Sequence, residues 1–179
     1  MNPAPKAIIP PTTPETYLTG QIALNIPAPE GTCGDWHAEA IFDNPNANIA
    51  RHRAGGAGMF YNTNPLLRNL GIHECSQWFI QKHHPVPGPV YAANHYRAIL
   101  DMVINAWAKN RVPAPMSFFD YISESRHQME FLKILREIPK KVSPRTPGCV
   151  RLLAADGTPH RIQTLARIIK ANRLPITQP

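Results

Sequence analysis

Proline punctuation limits this chain more than any other feature. Twenty prolines stand among 179 residues, and inside a helix or a central strand each one removes a backbone donor and fixes φ. Long regular elements fit only between them. The longest such stretch is 89–110, PVYAANHYRAILDMVINAWAKN. At about 100° per residue, Ala92, Tyr96, Ile99, Leu100, Val103, Ile104 and Trp107 fall on one broad apolar stripe. Pro89 suits a helix start, where its missing N–H costs nothing. The spacing predicts a helix over 89–110 with the stripe on a core, Asn94, Asp101 and Asn105 opposite, and His95 and Arg97 on the borders. Arg97 and Asp101 stand at i,i+4, the spacing of a local ion pair. A border position also lets a polar tip reach a cleft while its stem packs.

The other segments are shorter. Residues 1–14 are proline-rich and read as a flexible arm. In 17–26, Ile22, Leu24 and Ile26 alternate with polar or small residues, which predicts a half-buried strand. DWHAEAIF over 35–42 alternates in the same way, and the two segments are expected to pair as an antiparallel hairpin. Residues 59–61 are a candidate third strand, and 64–71 a helical turn. IHECSQWFIQ over 72–81 fits either a strand or a short helix. Residues 117–123 and 125–138 read as helices, the first capped by Ser117. A basic linker, PKKVSPRTP, follows over 139–147, and then a strand and a helix within 148–179. The expected class is α+β: a small antiparallel sheet packed on the 89–110 helix, with further C-terminal helices. Its expected division is arm 1–14, core 15–138, linker 139–147 and a small basic unit 148–179.

Apolar residues make up 43% of the chain, enough for a core. No apolar run approaches the roughly 18 residues of a membrane span. MNPAPKAIIPPTTP has no unbroken apolar stretch of the kind a secretory signal needs. Cys33, Cys75 and Cys149 form no CxxC, a usage that fits a reducing cytoplasm. The net charge of +7 is unevenly spread: residues 1–125 hold 8 Lys/Arg against 9 Asp/Glu, and 126–179 hold 11 against 3. Lys140, Lys141, Arg145, Arg151, Arg161, Arg167, Lys170 and Arg173 therefore form a candidate face for an acidic protein or a nucleic acid. No aromatic residue follows Phe131. That composition favours contact with the backbone of a duplex or structured RNA over base stacking.

Two motifs carry candidate chemistry. GTCGDWH over 31–37 is a glycine-containing loop that delivers Asp35, Trp36 and His37. Asp35 and His37 alternate to one side, so the carboxylate could orient the imidazole for acid–base work. The structural alternative is that Asp35 caps the loop and Trp36 anchors the sheet. Were His37, His95 and Arg97 to converge, two imidazoles would exchange a proton while a guanidinium held a phosphate, as in a metal-independent ribonuclease. Cys33, His37, His73 and Cys75 make up a Cys₂His₂ set, but their spacing is not that of a zinc finger. No metal or cofactor is expected. P-loop, dinucleotide-binding, zincin and nucleophile-elbow motifs are absent.

GTCGDWH together with GPVYAANHYRAILDMV resembles small bacterial proteins that carry a GDWH element and an ANH-x-RA-x-LD helix. Such proteins accompany toxin–antitoxin or phage-defence gene pairs. The resemblance covers about residues 17–138 and leaves the basic tail outside. It implies a cytoplasmic protein that binds a protein partner, and it marks Asp35, Trp36, His37, Asn94, His95, Arg97 and Asp101, with Trp36, Asn94 and Asp101 as a partner or ligand cleft. It does not separate antitoxin from toxin. A non-enzymatic binding component is the expected role, with the ribonuclease as its alternative.

Overall fold

The computed structural model describes residues 6–34, 40–47, 49, 55–108 and 121–141. The chain divides into two compact units, Met1–Ile138 and Pro139–Pro179. The first is α+β. Its helices are α1 (Gly20–Leu24), α2 (Ala40–Asp43), α3 (Asn64–Leu67), α4 (Ser76–Gln81), α5 (His95–Ala108) and α6 (Ser125–Lys141), the last running across the boundary into the second unit. A two-stranded antiparallel sheet joins β1 (Ile72–Glu74) to β2 (Tyr91–Ala93), with Ile72 opposite Ala93 and Glu74 opposite Tyr91. Leu18 adds a one-residue parallel bridge on the other edge of β2. Its N–H donates to the Tyr91 carbonyl (3.0 Å), and its carbonyl accepts from Ala93 (2.8 Å).

The central helix begins later than its apolar stripe suggests. Asn94 is its N-cap: the side-chain Oδ1 accepts the Arg97 N–H at 2.9 Å. An Asn cap satisfies one of the four donors a helix start leaves open. Residues 89–93 are consequently free to extend, and Tyr91–Ala93 join the sheet instead of the helix. IHECSQWFIQ contains both of its alternatives in succession, β1 and then α4.

Several expected strands are not strands. In 17–26 only Leu18 pairs; Gly20, at φ +63°, turns the chain into α1. There Ile22, Ala23 and Leu24 are all buried, whereas a half-buried strand would bury only alternate residues. Of 35–42, Ala40–Asp43 is helical, and the remainder lies outside the described residues. Residues 59–61 form bends after a 3₁₀ turn at Gly56–Gly58. Residues 6–14, expected within a flexible arm, pack against the core. Ala7 and Ile9 are wholly buried, and Thr12 N–H donates to the Pro89 carbonyl at 2.9 Å.

Ile9, Leu18, Ile22, Phe42, Phe79 and Val90 lie at the heart of one hydrophobic cluster. Burying each large side chain contributes about 1.5–3 kcal/mol. α1 packs on α5, and α6 meets α5 through Tyr96, whose ring lies 6.0 Å from that of Phe131. Among the described residues no helix is long and apolar enough to cross a membrane.

Candidate functional site

The polar residues of α5 turn inward. Asp101 and Asn105, expected opposite the apolar stripe, are 0% and 8% exposed, and Arg97 is 0% exposed. A guanidinium has five N–H donors, and here all five are engaged. Nε donates to Asp101 Oδ1 (2.9 Å). One terminal nitrogen donates to the carbonyls of Arg68 (2.7 Å) and Leu70 (3.1 Å), the other to Thr63 Oγ1 (3.2 Å) and Asn64 Oδ1 (2.8 Å). The Tyr17 ring faces the guanidinium carbon at 5.0 Å.

Asp101 is saturated too. Oδ1 also accepts from Thr63 Oγ1 (2.6 Å), and Oδ2 accepts from the Tyr17 hydroxyl and Thr19 Oγ1 (2.8 Å each). Burial, then the Asp101 carboxylate, hold the Tyr17 phenol well above its ordinary range, so it stays a donor. An ion pair this deep survives because every lone pair and proton has a partner. Arg97 has no donor left for a phosphate.

His95, the first residue of α5, is 1% exposed. Nε2 lies 2.9 Å from the Ile26 carbonyl, which can only accept; the proton is therefore on Nε2. Nδ1 is left to accept from the Thr32 hydroxyl. Burial pulls the His95 pKa below its ordinary value, against the opposing pull of the Ile26 carbonyl and Glu30. Both nitrogens are committed and the ring is neutral. The loop over it fits closely. Gly34, at φ +68°, has no room for a side chain, since a Cβ there would stand 2.6 Å from His95 Cε1.

Glu30 places a carboxylate in this corner. Its Oε2 accepts from Asn94 Nδ2 (3.1 Å), and its Oε1 lies 3.4 Å from the Thr32 hydroxyl. His73, on β1, is close enough to feel Glu30 first among nearby charges, yet burial outweighs it and lowers the imidazole pKa. Neither His73 nitrogen reaches a hydrogen-bond partner among the described residues, although the Gly71 and Pro27 backbones lie beside the ring.

The expected site residues thus separate into groups. Asn94, His95, Arg97 and Asp101 share one helix but serve two networks. Asn94 and His95 fasten the 26–34 loop, while Arg97 and Asp101 join residues 17, 19, 63, 64, 68 and 70. Asp35, Trp36 and His37 lie outside the described residues, as do Arg145, Arg151, Arg161, Arg167, Lys170 and Arg173; Lys140 and Lys141 are described only as the backbone end of α6. Cys75 is buried, its Sγ 3.5 Å from the Val90 carbonyl, and burial pushes its thiol up to about 12, far from a nucleophile's range. Sequence spacing had no means of finding Tyr17, Glu30, Thr32 or Thr63, because each meets α5 or its cap from a remote segment; His73 stands out in the sequence only as a member of the Cys₂His₂ set. Compared with known families, curated proteins and solved structures, the chain matches none.

Proposed function

We propose that this chain is a non-enzymatic, partner-binding component of a bacterial toxin–antitoxin or phage-defence pair. Its basic residues engage an acidic protein surface or the backbone of a nucleic acid. The observation that carries this reading is the distribution of charge between the two units. Residues 1–138 hold 11 Lys/Arg and 11 Asp/Glu, whereas 139–179 hold 8 against 1, so the whole net charge of +7 belongs to the second unit. A cationic segment beside a neutral one attracts polyanions through counterion release and long-range steering. The resemblance carried by GTCGDWH and the ANH-x-RA-x-LD helix supplies the genetic setting.

The metal-independent ribonuclease using His37, His95, Arg97 and Asp35 is the rival. The internal commitments of Arg97 and His95 count against it, because a group that binds a scissile phosphate or moves its proton needs a free donor or lone pair.

A pull-down from a bacterial lysate with the full-length protein, with and without nuclease treatment, tests the choice. The expected result is one stoichiometric protein that survives nuclease and is lost when Arg161, Arg167, Lys170 and Arg173 are changed to Gln. Recovery of nucleic acid alone, with degradation that stops in His37→Ala or His95→Ala, would favour the ribonuclease.

A further inference from the structure

Three buried residues of α5, Arg97, Asp101 and Asn105, meet on one loop. Asn105 Oδ1 accepts from the Tyr61 N–H (3.0 Å), and its Nδ2 donates to the Tyr61 carbonyl (3.1 Å). Thr63 Oγ1 lies between Asp101 and Arg97, and Arg97 also holds Asn64 and the carbonyls of Arg68 and Leu70. Asn105 and Arg97 stand two turns apart, so residues 61–70 are fastened along about 12 Å of helix. Such anchoring sets the shape of the loop before any partner arrives, and a preformed loop loses little entropy on binding.

The anchored loop presents an aromatic ring and a guanidinium. Phe60, next to the clamped Tyr61, is 71% exposed. Arg68 is exposed on a β-turn that the Leu70 N–H closes to the Leu67 carbonyl at 3.1 Å. Its φ of +51° and ψ of −137° belong to the place glycine takes in a type II′ turn. Strained residues of this kind cluster at binding sites, where the rest of the fold holds them. The Arg68 guanidinium has no ion-pair partner among the described residues. Asn62 and Asn69 flank the two in sequence and are exposed, and so are Ala57 and Gly58, which add little bulk.

The charge of this stretch is positive. From 44 to 73 the sequence holds Arg51, Arg53 and Arg68 and no Asp or Glu. Asp101 is already paired with Arg97. Glu15 meets the loop through its backbone carbonyl, which accepts from the Ala57 N–H and Asn64 Nδ2 (2.9 Å each). Three arginines against the Glu15 carboxylate remain.

We propose that the 59–69 loop binds an unpaired stretch of nucleic acid. A base stacks on Phe60, the Arg68 guanidinium meets a phosphate, and the Asn62 and Asn69 amides reach base edges. One ring set among amides, glycine and arginine is too polar for the core of a protein interface, which is mostly apolar. Stacking needs only one ring, and an unpaired strand offers its base faces without the cost of opening a duplex. The second unit has charge but no Phe, Trp or Tyr, so the stacking element comes from the first.

Fluorescence anisotropy tests this on the full-length protein with Arg161, Arg167, Lys170 and Arg173 changed to Gln, which weakens binding through the second unit. The probes are a labelled oligouridylate of about 12 nucleotides and an RNA duplex of the same length. The single strand binds more tightly than the duplex by about fivefold or more. Phe60→Ser and Arg68→Gln, both at exposed positions, each weaken the single strand by about fivefold or more, and Arg68→Gln also lowers the salt slope. Arg68→Gly raises the thermal midpoint and loses the same affinity, a split that a merely structural role would not produce. Duplex bound as tightly as single strand overturns the proposal. So does single-strand binding that either Phe60→Ser or Arg68→Gln leaves unchanged, and so does the absence of single-strand binding at about 1 mM. The pull-down that tests the second unit reads other residues, so the two proposals can fail separately.

Discussion

Arg97 shows how much one side chain can organise. Its five donors tie together three separated stretches of chain, and Asp101 gathers Tyr17, Thr19 and Thr63 on the other side. Lysine offers three donors on a point charge and cannot reproduce the fork. Asp101→Asn should lower unfolding free energy by about 3 kcal/mol, since it strands the buried guanidinium charge, and Arg97→Lys by about 3 kcal/mol as well, since it leaves several of the buried acceptors around the fork without donors; urea denaturation reads both directly. Gly71→Ala should also destabilise. The residue has φ +69°, and a Cβ would stand 2.2 Å from Asn94 Oδ1. The i,i+4 spacing of Arg97 and Asp101 was plain in the sequence. Their burial was not, because the hydroxyls and carbonyls that permit it come from residues 17–70. Helical periodicity places Asp101 opposite the stripe; what overrides it is a second layer of chain on that face.

At the scale of elements, caps decided the outcome more than periodicity did. The apolar stripe of 89–110 continues through Ala92, but Asn94 closes the helix start and leaves Tyr91–Ala93 to β2. An Asn before an apolar-periodic run is a readable stop signal. In 17–26 the alternation of Ile22, Leu24 and Ile26 pointed to a strand, but Gly20 breaks the extended run and all of 22–26 is buried. Two turns carry measurable strain. His83 holds φ +62°, and Arg68, at φ +51° and ψ −137°, occupies a region proper to glycine while its carbonyl accepts from Arg97. His83→Gly should raise stability by roughly 0.5 kcal/mol and Arg68→Gly by about 1 kcal/mol, the relief of left-handed strain less the entropy glycine adds to the unfolded chain. Shifts in the thermal midpoint of each variant check both values.

The whole molecule joins a neutral unit built around a buried ion pair to a segment that carries all the excess charge. The charge asymmetry and the α+β class were legible from composition and pattern; the closed state of the α5 polar groups was not. A pH dependence follows from three histidines. His73, His84 and His95 all have pKa values lowered by burial. The unfolded chain therefore binds protons that the folded protein refuses. Stability is full above the unfolded value of about 6.5 and falls as pH drops below it towards the depressed values. The urea midpoint should be lower at pH 5.5 than at pH 7.5, and His95→Gln should reduce that difference. Binding through residues 139–179 should weaken with salt, by a log–log slope of roughly 0.9 for each phosphate contacted if the partner is duplex nucleic acid.

Asn94, His95, Arg97 and Asp101 spend their polar atoms on holding the fold. Urea denaturation of Arg97→Lys beside the unmodified protein, with RNA cleavage followed on the same samples, tests this most directly. The midpoint of the variant should be clearly lower, and neither protein should cleave the RNA. An unchanged midpoint, with cleavage present in the unmodified protein and lost in the variant, would contradict it.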